Sequence, residues 1–246
     1  MTRLSVVVPA YNEAEVLPST LPALRAALGG HRGGLEIVVS DDGSSDGTPE
    51  AAARAGADLV VGDGVHRGKG AAVRAGMLAA SGDLVVFTDA DLAYPPGQII
   101  RLVDALESGA DVVAGSRHHV DTVTLVRRRR LREVAGRVFN AATRVLVLHE
   151  RRRDTQCGLK GFTAHAARAV FGRARVDGFA FDVEVFVIAA ELGLEVREVP
   201  VELSNSARST VRVGRDAVGM VRDLLAVRAR AERGEYRAEG HARTPM

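Results

Sequence analysis

An α/β fold with a mainly parallel sheet flanked by helices is what this sequence predicts, and three features carry the prediction. Short apolar runs recur at residues 4–8, 35–40 and 84–88, and such runs mark parallel strands buried on both faces. Between them lie stretches whose apolar residues recur at helical spacing. Polar or glycine-rich clusters follow these strands or open the next helix, and in a doubly wound sheet those positions share one ligand-binding edge.

In chain order, residues 4–8 form the first strand, followed by PAYNE (9–13) and an amphipathic helix with Leu17, Leu21, Leu24 and Leu28 on one face. The second strand, 35–40, ends in DDGSSDGT, a turn whose Asp46 and Thr48 are placed to cap the helix carrying 51–55. Residues 58–61 read as a short third strand. HRGKG then leads into a helix reaching residue 80, and the strand at 84–88 comes next. A helix over about 97–107, a strand at 111–114 and the cluster GSR at 115–117 complete the first half. A basic start followed by an apolar stripe (Val134, Val138, Ala141, Val145, Leu148) predicts an amphipathic helix over 125–148. A second C-terminal amphipathic helix spans 217–230. We expect one domain over 1–233, with nucleotide binding in 1–116 and an acceptor half in 117–233, and a disordered tail over 234–246.

Bulk properties narrow the class. A chain of 246 residues, 46% hydrophobic and 26% charged, is long enough for a full core. The net charge of +2 gives no field that calls for nucleic acid. Arginine supplies nearly all the basic residues, with lysine only at Lys69 and Lys160. Cys157 is the single cysteine, which excludes an internal disulfide and makes a cytoplasmic setting the expectation. The first apolar run is cut by Pro9 and Asn12, so no signal peptide is expected, and no apolar run is long enough to span a bilayer. Membrane contact is therefore expected to be peripheral.

The chemistry concentrates after the strand at 84–88. Asp89 and Asp91 stand at i and i+2, flanking Ala90. Carboxylates so spaced at a strand end point to one side and can share a divalent cation, which completes its shell with water and substrate phosphates. The plainer alternative is an acidic turn or helix cap. Gly68, Lys69 and Gly70 open a helix, where free N–H groups and the ammonium would favour an anion.

Taken together, SVVVPAYNEAEVLP, EIVVSDDGSSDGT, HRGKGAAVRAGM, DLVVFTDADL and VVAGSR resemble the large family of inverting nucleotide-sugar glycosyltransferases with the GT-A fold, a Rossmann-like architecture. RDTQCGLKGF and FAFDVEVFVIAAELGLEVREVPVE are similar to its polyprenyl-phosphate branch, closest to dolichyl-phosphate β-glucosyltransferases and next to dolichyl-phosphate mannose synthases. Leu159 and Gly161 depart from the aromatic and the hydrophobic residue expected there. The resemblance implies a hexose, glucose first, moved from a nucleoside diphosphate sugar to a polyprenyl phosphate. UDP-glucose is the favoured donor and GDP-mannose the next.

The resemblance also implies roles. Pro9, Ala10, Tyr11 and Glu13 belong to the nucleoside site, with Glu13 facing the ribose, and Asp41 or Asp42 accepts the base N–H. Gly68, Lys69 and Gly70 meet the phosphates. Asp89, Ala90 and Asp91 contact the donor, and Asp89 and Asp91 hold Mg²⁺ or Mn²⁺. Asp91, Arg117 and Arg132 are the expected catalytic residues, the arginines at the acceptor phosphate. Asp154, Asp182 and Glu184 are assigned to acceptor or sugar contacts. Arginines 127–130 beside an apolar stripe suit the anionic inner face of the cell membrane, or else a solvated charge run. Two other classes are weighed. A soluble glycosyltransferase acting on a hydroxyl would need a carboxylate base. A non-catalytic nucleotide-binding module is disfavoured because no GxGxxG follows the first strand.

Overall fold

The computed structural model of the chain describes residues 1–117, 122–124, 143, 154–203 and 215–237. Its first half alternates β1 (Leu4–Ala10), α1 (Leu17–Leu28), β2 (Leu35–Asp41), α2 (Thr48–Arg54), β3 (Leu59–Val61), α3 (Lys69–Ala79), β4 (Leu84–Phe87), α4 (Ile99–Glu107) and β5 (Val112–Ser116). There follow β6 (Val123–Thr124), β7 (Lys160–Thr163), α5 (Ala164–Phe171), α6 (Phe181–Glu191), β8 (Val196–Pro200), β9 (Glu202–Leu203) and α7 (Arg215–Glu232). Seven strands form one sheet in the order β3-β2-β1-β4-β7-β5-β8, so strands from both halves of the chain share it. All its pairings are parallel except those of β7, which runs antiparallel to β4 and β5.

Alternation along the strands builds two layers. Val6 and Val8 of β1 join Leu17, Leu21 and Leu24 of α1 and Leu102 and Leu106 of α4 in one core. Val7 faces the other side, with Val73 and Met77 of α3 and Phe186 and Ile188 of α6. Register then aligns the strand ends: Ala10 of β1 lies opposite Asp41 of β2. The edge carrying the polar clusters is thus the C-terminal edge of the parallel strands.

In its elements the structure departs from the sequence reading in three places. β7 was not predicted, because its pairing rather than its composition makes it a strand. A Cβ on its Gly161 would lie 3.1 Å from Leu106 Cδ1 and 3.3 Å from Val86 Cγ2, which explains why no larger residue stands there. α2 starts without a side-chain cap, at Gly47 in the left-handed region. Asp46 instead accepts from the amide and hydroxyl of Thr48. Last, the expected tail over 234–246 is wrong at its start. Tyr236 is 1% exposed and packs in the second core. Of the helix expected over 125–148 only Thr143 is described, and it is helical and buried. Arg132, arginines 127–130 and the apolar stripe lie outside the described residues. Among the described residues no helix is long and apolar enough to cross a membrane.

Candidate active site

Two tied loops stand at the C-terminal ends of β1 and β2. After β1, the Asn12 amide donates to Ser44 Oγ, Asn12 Oδ1 accepts the Ser45 amide, and the Glu13 amide donates to Thr48 Oγ1. These bonds tie PAYNE to DDGSSDGT. The two aspartates left open by the sequence differ here. Asp42 is fully engaged: its carboxylate accepts the Arg67 and Gly68 amides and pairs with His66 Nδ1 at 2.8 Å. Asp41 uses only Oδ2, which accepts from Gly43 and Ser44, and its buried Oδ1 has no partner. An unpartnered acceptor at a strand end is one that a base N–H can satisfy. Exposed Tyr11 stands next to it, stacked on His66 with ring centroids 4.0 Å apart.

Directly after β4, Thr20 of α1 donates to the Ala90 carbonyl at 2.6 Å, and Leu92 takes a left-handed φ of 47°. This turn brings Asp89 and Asp91 together. Asp91 lies above the ordinary carboxylate range because it is buried and because Asp89 is close. Lys69 Nζ reaches across from α3 to Asp89 Oδ1 at 2.5 Å. Gly158 makes room for that carboxylate, since a Cβ there would sit 2.0 Å from Asp89 Oδ2. Two neighbouring carboxylates, Asp91 raised by burial and by the charge of Asp89, form a donor set that fits a hard divalent cation. Among the described residues no group of three or more His, Cys, Asp or Glu gathers as a metal site. A cation on Asp89 and Asp91 would thus take its remaining ligands from substrate oxygens and water.

The expectation of free helix amides at Gly68 and Gly70 is not met. The Gly70 and Ala71 amides both donate to the Asp177 carbonyl, and the Gly68 amide is held by Asp42. The physical reason is close packing: a Cβ on Gly70 would lie 2.4 Å from the Val176 carbonyl oxygen. The chain itself caps α3, and Lys69 is the cationic group of this loop that reaches Asp89.

Arg117 follows β5 and donates from Nε and Nη2 to the two oxygens of Asp154 at 2.6 and 2.7 Å. Asp154 is fully buried. It therefore positions Arg117, which corrects its assignment as a substrate contact. Glu184 is corrected likewise: buried, it accepts from the Arg175 and Val176 amides and from the Tyr236 hydroxyl. Asp182, at the start of α6, keeps slight exposure and pairs with Lys160. His66, Gly158 and Lys160 were missed by sequence reasoning; for Lys160 the available signal was its rarity as a lysine.

The sequence profile described as Glycosyl transferase family 2 matches residues 5–175. The dolichyl-phosphate beta-glucosyltransferase of Drosophila melanogaster is 35% identical, over 95% of this chain and 77% of its own. That of Homo sapiens is 31% identical, over 96% of this chain and 78% of its own. In fold, the chain is similar to the crystal structure of glucosyl-3-phosphoglycerate synthase from Mycobacterium tuberculosis. The TM-score is 0.68 at 23% identity, covering 93% of this chain and 81% of that one.

Proposed function

We propose, because the chain belongs to glycosyl transferase family 2, that it moves glucose from UDP-glucose to a polyprenyl or dolichyl monophosphate with inversion. The observation that carries this reading is the pair Asp89 and Asp91 at the end of β4, with Lys69 bound to Asp89. Relatives named for this reaction cover nearly the whole chain. Related folds have been crystallised with UDP and Mn²⁺ or Mg²⁺, which supports the same donor and metal class here.

The roles follow from the chemistry of each group. Residues 1–116 take the donor. Tyr11 offers an aromatic face to the base, Asp41 its unpaired oxygen to the base N–H, and Pro9, Ala10 and Glu13 border the ribose. Lys69 carries positive charge to the diphosphate. A divalent cation on Asp89 and Asp91, Mg²⁺ or Mn²⁺, would neutralise charge developing on the leaving diphosphate. Residues 117–233 take the acceptor. Arg117, oriented by Asp154 through two of its five N–H donors, presents the others to the acceptor phosphate, and Arg132 assists it. The phosphate oxygen attacks the anomeric carbon, the bond to the diphosphate breaks, and UDP leaves. The acceptor already carries between one and two negative charges near neutral pH, its second pKa being about 6, so no carboxylate base is required. Positioning and charge neutralisation carry the rate.

Such an acceptor holds its tail in a bilayer, so the protein works peripherally at an anionic membrane surface, on the cytoplasmic face. The test is release of UDP from UDP-glucose. It should require both Mn²⁺ and added polyprenyl phosphate, and disappear in Asp91→Asn. Release from GDP-mannose in place of UDP-glucose would replace the glucosyl reading. Release indifferent to polyprenyl phosphate would remove the lipid acceptor.

A further inference from the structure

Of the 33 lysine and arginine residues in this chain, only Lys69 and Lys160 are lysines; Lys160 bonds to the Asp182 carboxylate, and Lys69 lies within reach of its charge. Lys160 sits in β7, entirely buried, opposite Phe87 of β4 in the register. Its Nζ donates to Asp182 Oδ1 at 2.5 Å and to the Cys157 carbonyl at 2.7 Å. The rings of Phe87 and Phe186 lie 5.5 and 5.4 Å from it. Asp182 opens α6 one residue after Phe181, and α3 begins directly against that point. A Cβ on Gly70 would lie 2.7 Å from Phe181 Cβ. Lys69 therefore emerges beside Asp182 and extends to Asp89. The result is an alternating row: Lys160, Asp182, Lys69, Asp89.

Two physical arguments say this row does more than hold the fold. A buried ion pair seldom stabilises a protein more than an apolar pair of similar volume would, so its retention points to positioning. In a chain that otherwise uses arginine for its cations, these two sites keep the compact ammonium. A guanidinium, planar with five donors, does not fit between single carboxylates as an ammonium does.

We propose that Lys160 and Asp182 are positioning residues for Lys69: Lys160 fixes Asp182, and Asp182 supplies the counter-charge that keeps Lys69 in place when Asp89 turns to a cation. Without Asp182, Lys69 would depend on Asp89 alone, and the carboxylate that binds the cation would also have to hold the ammonium. This rests on the reading that Lys69 meets the donor diphosphate.

The test is a thermodynamic cycle on UDP affinity, measured by calorimetry with and without Mn²⁺. Asp182→Asn alone leaves the Lys160 charge buried and unpaired, so the informative variant is Lys160→Met/Asp182→Asn. It should melt no lower than wild type, since both charges are removed together. It should still bind UDP about five- to tenfold more weakly, the size of coupling expected between contacting residues. In a Lys69→Met background the same two substitutions should produce no further loss. Equal losses in both backgrounds, or unchanged affinity of the double variant when Lys69 is intact, would overturn the proposal. Full UDP affinity in Lys69→Met alone would instead refute its premise, that Lys69 meets the diphosphate.

Discussion

Arg117 donates to both oxygens of Asp154 from its side chain, and its amide adds a bond to Asp154 Oδ2 at 2.9 Å. Burial alone would raise the Asp154 carboxyl, but the hydrogen bonds and charge of Arg117 hold it well below its usual range. A carboxyl depressed on folding contributes stability above its unfolded pKa of about 4, and that contribution is lost as pH falls through the folded value. Asp154→Asn should therefore cost about 3–5 kcal/mol at neutral pH, because Arg117 loses its buried partner. Urea melts at a series of pH values should show the gap between wild type and variant constant down to about pH 4 and narrowing only below it. A gap that closes between pH 7 and 5 would contradict this account of the pair. The same residue-scale logic separates Asp41 from Asp42. Sequence left them equivalent; only the amides of Arg67 and Gly68 and the His66 ring, all on a later loop, show which carboxylate is engaged.

Helix α7 and the four residues after it hold α6 in place. Leu224, Val227 and Tyr236 enter the core beside α6, and the Tyr236 hydroxyl donates to Glu184 at 2.6 Å. Glu184 in turn fixes the Arg175 and Val176 amides, next to the Asp177 carbonyl that caps α3. Truncation after residue 233 should lower the melting temperature by several degrees, since it removes a buried aromatic and leaves Glu184 a donor short. Truncation after 237, which keeps Tyr236, should melt higher than truncation after 233. Equal melting temperatures for the two truncations would show Tyr236 to be dispensable. The elements most legible in the sequence were β1, β2 and β4, whose apolar runs report burial on both faces. Their trailing clusters made the DAD edge legible as well. β7 was not legible because Lys160, Gly161 and Thr163 carry no strand pattern, and its identity comes from its partners Phe87 and Ala114. The α3 cap was hidden for a related reason: the carbonyl that closes it comes from Asp177, far along the chain.

At the scale of the molecule, the proposed function would set the sheet edge that carries Asp41, Lys69 and Asp89 against a bilayer. On α7, Val221 and Leu225 are 47% and 51% exposed, one helical turn apart, with exposed Arg222 and Arg228 nearby. Arginines 127–130 form a further basic run in the sequence. Each basic residue near an anionic surface contributes about 1 kcal/mol. Binding to anionic vesicles should therefore be measurable, weaken as salt rises, and fall sharply when arginines 127–130 become serine. Equal binding to neutral and anionic vesicles would mean that those arginines form only a solvated face. The central claim is that glucose is transferred to a lipid phosphate, and partition of label measures it most directly. With labelled UDP-glucose, Mn²⁺ and polyprenyl phosphate, the account predicts label extracted into organic solvent in step with UDP released, and none without the lipid. Label that stays in the aqueous phase while UDP is released at an undiminished rate would contradict it.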